Sequence, residues 1–218
     1  MNYKIIESGS SGNATIIENV ILVDCGVSFK KLQAYAYKLK LVLLTHIHSD
    51  HFNKATIKKL SFERPTLRFG CQPWLVDALI KCGVNKRNID VYDMNHSFKY
   101  SDNLIISSFK LTHDVPNCGY VITVNKKRYF YATDTSNLDN IEAKNCDMYL
   151  IEGNYEDNQE LEMRKLKHIE NGEFYYEDRV ERTHLSQVQA LNWLDKNKGE
   201  NSLYEFMHQH KEKEVLKC

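Results

Sequence analysis

Three imidazoles and one carboxylate fall within six residues in Thr45-His46-Ile47-His48-Ser49-Asp50-His51, directly after the apolar run Leu41-Val42-Leu43-Leu44. Short aliphatic runs of this kind read as buried strands. A loop leaving the end of such a strand can aim several side chains at one point while the sheet holds its base rigid. Imidazole and carboxylate without thiolate suit a divalent ion of borderline hardness: zinc, manganese or iron. His46 and His48, two residues apart, can reach one ion while Asp50 and His51 reach a second, so two metals are expected. A solvated, histidine-rich loop is the plainer alternative. Clustering these groups costs desolvation and mutual repulsion, however, and a solvated loop gains nothing that offsets the cost.

The pattern His-x-His-x-Asp-His after an apolar strand resembles the signature of metallo-β-lactamase-fold hydrolases, and further segments follow that family in order. Asp24, closing Val20-Ile21-Leu22-Val23-Asp24-Cys25-Gly26, corresponds to the Asp that braces the metal loop. Thr112-His113-Asp114 and Thr133-Asp134-Thr135 look like the third ligand of the first metal and the bridging carboxylate. Ser8-Gly9-Ser10-Ser11-Gly12-Asn13, Glu152-Gly153-Asn154-Tyr155 and Thr183-His184-Leu185-Ser186 narrow the resemblance to the YycJ/WalJ-like branch. That branch is related to tRNase Z, and phage anti-Pycsar phosphodiesterases carry the same fold. The resemblance covers almost the whole chain. It implies an α/β (α+β) fold, a four-layer αββα sandwich forming one domain over residues 1–218.

The resemblance also implies a ligand set of two divalent ions, zinc in the first place and manganese in the second. His46, His48 and His113 hold one ion, Asp50, His51 and a late histidine hold the other, and Asp134 lies between them. The late histidine is His208, after the strand-like Leu203-Tyr204-Glu205-Phe206-Met207, or His210 if that strand is one bulge longer; His208 is preferred. The catalytic assignments implied are His184 as general acid for the leaving group and Asp50 as a group that orients the nucleophile. The alternative for His184 is a helix-capping histidine that merely packs. Phe52, Tyr155 or Tyr175 supply an aromatic wall for a base.

The activity implied is phosphodiester hydrolysis, with a small cyclic nucleotide as first choice, as in the anti-Pycsar enzymes. Cleavage of single-stranded DNA or RNA by a YycJ-like nuclease is the alternative. A non-catalytic nucleotide-binding module is the reading from another class, and the full ligand set speaks against it. Charge bears on the choice: 29 basic residues balance 29 acidic ones, whereas proteins that track a phosphate backbone usually show a basic excess. Clusters such as Lys126-Lys127-Arg128 exist, and Glu160, Glu162 and Glu170 dilute the one around Arg164-Lys165-Lys167. The partner expected is therefore a small nucleotide, single-stranded nucleic acid in second place, with no membrane and with pairing into a homodimer as in relatives. Residues 1–6 read as a strand without the regions of a signal peptide, so the expectation is a cytoplasmic chain rather than an exported β-lactamase. Six scattered cysteines without a Cys-x-x-Cys pair read as thiols rather than disulfides or ligands.

The elements that must carry these groups are legible in part. Alternation predicts strands at 3–6, 14–18, 20–24, 104–111, 120–124 and 128–132, with turns at Glu18-Asn19 and Asn125-Lys126. Helical spacing predicts helices at 29–39, 54–60, 73–81 with a stop at Gly83, and 186–196 with Val188, Leu191, Trp193 and Leu194 inward and His184 at the cap. The charged, weakly patterned segment 154–174 reads as a helix-bearing insertion or flap beside the site.

Overall fold

A computed structural model of the chain describes residues 1–94 and 96–209. Its first half is a six-stranded sheet in sequence order: β1 (Tyr3–Glu7), β2 (Ala14–Ile17), β3 (Ile21–Val23), β4 (Leu41–Leu43), β5 (Arg68–Cys71) and β6 (Ile89–Val91). From β3 to β6 the pairing is parallel. Crossovers run through α1 (Phe29–Ala36), α2 (Lys54–Glu63) and α3 (Val76–Lys81). The second sheet runs β12 (Leu203–Met207), β11 (Met148–Glu152), β10 (Lys127–Ala132), β9 (Asn117–Val124), β8 (Leu104–Leu111), β7 (Phe98–Ser101). Three more helices, α4 (Asn158–Glu170), α5 (Glu177–Thr183) and α6 (Gln187–Asn197), lie between β11 and β12.

Side-chain alternation separates the layers. In β4, Leu41 and Leu43 enter the core between the sheets while Val42 packs outward against α1 and α2. In β10, Tyr129 and Tyr131 face that same inter-sheet core, while Phe130 and Ala132 pack outward with Ala190 and Leu194 of α6. Strands covered on both faces read as apolar throughout. The result is helices, sheet, sheet, helix: the four-layer αββα sandwich expected.

Turn chemistry holds the register. Asn125 and Lys126, with φ of 51° and 65°, close the two-residue hairpin between β9 and β10, the paired left-handed residues of a type I′ turn. Gly26 has another reason: a Cβ there would stand 1.6 Å from the Asp50 carbonyl oxygen. Only glycine lets the end of β3 meet the metal loop, where Gly26 N donates to Asn13 O and Cys25 N to His51 O.

Several sequence expectations are corrected. α1 ends at Ala36, three residues before the predicted 39, and segment 73–81 is a 3-10 turn (Pro73–Leu75) continued by α3. Gly83, at φ 87°, does stop it. β5, β6, β7 and β11 are strands that the sequence reading does not include: β7 alternates but is only four residues long, and β11 is buried at every position, the case in which strand and helix patterns merge. α6 docks through Ala190, Leu194 and Asn197, leaving Val188 46% and Leu191 36% exposed. The small Ala190 lets that stripe approach the sheet, which turns the two predicted inward residues to the flank. Cys25, Cys71, Cys82, Cys118 and Cys146 are buried free thiols, and Cys218 lies outside the described residues. Among the described residues no helix is long and apolar enough to cross a membrane.

Candidate metal centre and active site

The chemistry-bearing residues gather where strands end. Asp24 follows β3, His46 to His51 follow β4, His113 follows β8, Asp134 follows β10, Glu152 closes β11 and His208 follows β12. Asp24, Asp134 and His208 all have positive φ, of 59°, 56° and 54°. Left-handed backbone at non-glycine residues costs about 1–3 kcal/mol each and tends to persist at functional sites. Here it turns the chain sharply off each strand and keeps the side chain over the sheet end.

Asp24 is wholly buried and fully used. Its Oδ1 accepts from Thr45 N and Thr45 Oγ1 at 3.0 and 2.9 Å, and its Oδ2 accepts from the Tyr131 hydroxyl at 3.2 Å and lies 2.7 Å from His51 Nδ1. It thus ties the metal loop to β10 of the opposite sheet. Since Thr45 Oγ1 gives its proton to Asp24, it is an acceptor for His46 Nδ1, 3.0 Å away. His113 Nδ1 donates to Thr183 O at 3.1 Å. In all three histidines an outer partner occupies Nδ1, so Nε2 is the atom turned toward the cluster. The His46 Nε2 atom is buried without any partner.

The described groups that bring donor atoms within 4.8 Å of one another are His46, His48 and His113; His46, His51 and Asp134; and Asp134, Glu152, His184 and His208. The first brings together the three histidines named for one ion. Of the residues named for the other, His51 groups with His46 and Asp134, His208 groups with Asp134, Glu152 and His184, and Asp50 belongs to none of the groups. Asp50 Oδ2 stands 3.5 Å from His51 Nε2 and lines the cleft. Asn13 intervenes, its amide 2.8 Å from His51 Nε2 and 3.3 Å from Asp50 Oδ2. His208 is brought to the site, its backbone N–H donating to Ser8 Oγ and its carbonyl accepting from Asn154; His210 lies outside the described residues.

His184 joins the site too, though not as the cap of α6. Ser186 caps that helix through a capping box with Gln189, and His184 is the C-terminal cap of α5. Its Nδ1 lies 2.7 Å from Glu152 Oε1 and 3.8 Å from Asp134 Oδ1. Glu152, wholly buried, also accepts from Thr135 N at 2.6 Å. It was visible in sequence only as part of a fingerprint, because its role depends on β11 ending beside α5.

Charge within the site is arranged around Asp134. Burial, aided by neighbouring His51, pushes the His46 pKa far below its ordinary value and keeps that ring neutral. Burial also opposes charge on His208, but Asp134 and Glu152 outweigh it and push the pKa up to about 10. At His51 burial is likewise overcome, by Asp134 and Asp24. Burial works against the Asp134 carboxylate, yet His208 and His51 hold its pKa well below the usual range. Asp134 Oδ2 and His208 Nδ1 approach neighbours to 2.8 and 2.9 Å without the alignment of a hydrogen bond. Buried polar atoms are rarely left unmatched. A neutral buried Nε2, an anionic carboxylate and a set of imidazoles oriented from behind fit a divalent cation in donor type and in direction.

Above these residues lies a cleft of about 340 Å³, whose outer lining includes Ser10, Asn154, Tyr176 and Arg179. The aromatic wall expected from sequence is corrected. Phe52 and Tyr155 are 2% and 3% exposed and belong to packed clusters; Tyr175 does not line the cleft, whereas Tyr176 does.

No curated protein sequence matches the chain. Among solved structures it is similar to the metallo-β-lactamase-fold protein YhfI from Bacillus subtilis (20% identity, TM-score 0.72, covering 97% of this chain and 87% of that one). It is also similar to the short form of human tRNase Z (14% identity, TM-score 0.68, covering 96% and 93%) and to a diphosphatase of the PhnP family (13% identity, TM-score 0.67, covering 95% and 85%). The β-lactamase superfamily domain model matches residues 19–208, a span that runs from the turn before β3 to the last histidine of the site, and on that match the chain belongs to the β-lactamase superfamily.

Proposed function

We propose that this chain is a dinuclear metal-dependent phosphodiesterase that hydrolyses small cyclic nucleotides, of the YycJ-like branch that resembles phage anti-Pycsar enzymes. The observation that carries the reading is the cleft: about 340 Å³ over the histidine and carboxylate cluster, at the small end of the roughly 300–1,000 Å³ usual for small-molecule sites. Two fold neighbours, a tRNase and a diphosphatase, are named for substrates that carry phosphate. A balanced charge of 29 against 29 suits a compact anion better than a polymer.

His46, His48 and His113 would hold one ion; His51 and His208, which fall in separate donor groups but each approach Asp134, to 2.8 and 2.9 Å, would hold a second. Divalent ions held there, zinc or manganese, would supply Lewis acidity and lower the pKa of a bound water toward neutral pH. The chain's own residues supply the rest. Asp24 and Thr45 fix the rings of His51 and His46. Asp50 lines the cleft, where its carboxylate would accept a hydrogen bond from the attacking water and set its direction. Glu152 holds His184 Nδ1, so Nε2 is the atom left to hand a proton to the leaving alkoxide, the role of a general acid.

The test is a panel of 3′,5′-cyclic mononucleotides and labelled single-stranded oligonucleotides with zinc and with manganese. The expected outcome is a kcat/KM for a cyclic mononucleotide above that for any oligonucleotide, with mild salt dependence. Rapid oligonucleotide cleavage with a steep salt slope, near −0.7 per phosphate contact on single strands, would transfer the assignment to a single-strand nuclease. Tight nucleotide binding with cleavage of neither would leave a binding module.

A further inference from the structure

The cleft has two walls of different origin. One is the cluster at the strand ends; the other is a single helical face, since Tyr176, Arg179, Val180 and Thr183 all line the cleft. These positions, i, i+3, i+4 and i+7, form one stripe along α5 and its N-cap. The stripe is firmly placed. Val180 packs with Tyr155 and with Leu161 of α4, Thr183 O accepts from His113 Nδ1 at 3.1 Å, and Arg179 Nη2 donates to Asp114 Oδ2 at 2.6 Å. Asp114 in turn lies 3.3 Å from His48 Nε2 and 3.2 Å from His113 Nε2. Arg179 is therefore one carboxylate away from the cluster, yet its side chain is 65% exposed. One turn earlier Tyr176 is 40% exposed, its ring centroid 6.1 Å from that of His168 on α4.

We infer that this stripe is the substrate-selecting wall of the site: the Tyr176 ring receives the face of a nucleobase, and Arg179 contacts the phosphate of the same nucleotide. The inference rests on the phosphodiesterase reading and extends it by naming the residues that recognise the substrate. The chemistry of each residue favours its role. A guanidinium keeps spare N–H donors after pairing with one carboxylate, and those match phosphoryl oxygens. A half-exposed aromatic ring is a platform on which bases of any identity can stack, and the His168 ring, tilted by 40° at 6.1 Å, lies beside that of Tyr176. About one helical turn between the two places ring and cation at different depths of one small cleft, which suits a mononucleotide better than a bare phosphodiester. Val180, next to Arg179 on the stripe, borders the cleft while packing on Tyr155 and Leu161.

Equilibrium binding and turnover are measured for adenosine 3′,5′-cyclic phosphate and for the corresponding methyl riboside cyclic phosphate, which lacks a base. Binding is read by calorimetry on the chelator-treated chain as well as on the zinc-loaded chain. In the wild type the base should improve Kd roughly 5- to 100-fold. Tyr176→Ala should abolish that difference and Tyr176→Phe restore it, with the change in KM rather than kcat. Arg179→Gln should weaken both ligands alike, roughly 10- to 100-fold, and Arg179→Lys should recover part. Equal loss of both ligands in Tyr176→Ala, or none, overturns the stacking role even if hydrolysis proceeds, leaving the phosphodiesterase reading intact. A base effect that depends on Tyr176 without hydrolysis removes the phosphodiesterase reading and keeps the wall. No binding of either ligand by the wild type overturns both.

Discussion

Glu152→Gln separates the proton-transfer machinery from the metal site without opening a cavity, because the two side chains are isosteric. The buried Glu152 carboxylate touches Thr135 N at 2.6 Å through Oε2 and His184 Nδ1 at 2.7 Å through Oε1. In Glu152→Gln the amide oxygen still accepts from Thr135. The amide NH₂ then faces His184 Nδ1 and reverses that hydrogen bond, so His184 loses its anionic partner and the neutral ring changes tautomer. Burial lowers the His184 pKa and Glu152 more than restores it, holding it above the ordinary histidine value; removing the charge lowers it and depletes the acid form at neutral pH. A hydrogen bond to a charged group contributes about 1.5–3 kcal/mol. That corresponds to roughly a 10- to 150-fold fall in kcat for a substrate with an alkoxide leaving group, within the ~10²- to 10⁴-fold span of general acid catalysis. A nitrophenyl phosphodiester, whose leaving group departs without a proton, should be slowed only slightly. Metal content by elemental analysis should be unchanged. Equal slowing of both substrates would refute the acid role of His184, and loss of a metal equivalent would make Glu152 a ligand instead.

His184→Ala should retain its metals and lose ~10²- to 10⁴-fold in rate on the alkoxide substrate, again with the nitrophenyl ester affected far less. Asp134→Ala should retain less metal than His48→Ala and show no turnover, because Asp134 belongs to two of the three donor groups and His48 to one; two equivalents of metal in Asp134→Ala would remove its bridging assignment. Gly26→Ala must push the Asp50 carbonyl away from a Cβ built 1.6 Å from it, so a loss of about 1–3 kcal/mol or more is expected. At roughly 2–4 °C per kcal/mol for a chain of this size, calorimetry should show Tm several degrees lower, and an unchanged Tm would contradict the close approach. In the metal-free chain His208, at about 10, keeps its proton at neutral pH. The stability of that charged contact is present below about 6.5, the ordinary histidine value, and lost as pH climbs through about 10. Metal must displace the proton, so zinc uptake should release protons and tighten between about pH 6 and pH 9. Buffer-independent calorimetric heats would speak against this coupling.

The metal loop was legible because its chemistry is contiguous: His46, His48, Asp50 and His51 follow one apolar strand, and no packing is needed to bring them near one another. The turns were legible for the same local reason, Asn125 and Lys126 carrying the left-handed backbone that their hairpin demands. β11 was not, since a strand covered on both faces loses the alternation that marks strands. The role of Glu152 escaped because it exists only in three dimensions. It closes a buried strand, and its partners Thr135 and His184 lie 17 and 32 positions away.

The α5 wall shows the same limit from the other side. Its stripe of Tyr176, Arg179, Val180 and Thr183 mixes aromatic, basic, aliphatic and hydroxyl residues, so it has no hydrophobic periodicity to detect. A helix face turned toward a ligand is patterned by the ligand's chemistry, and one turned toward the core is patterned by water's exclusion. The four positions share a spacing but not a polarity, which is what distinguishes a recognition face from a packing face. That α5 spends its only apolar member of the stripe, Val180, on α4 and Tyr155, and points a cation and a phenol at the opening, argues that the helix is held in place in order to meet something polar and ringed in the cleft.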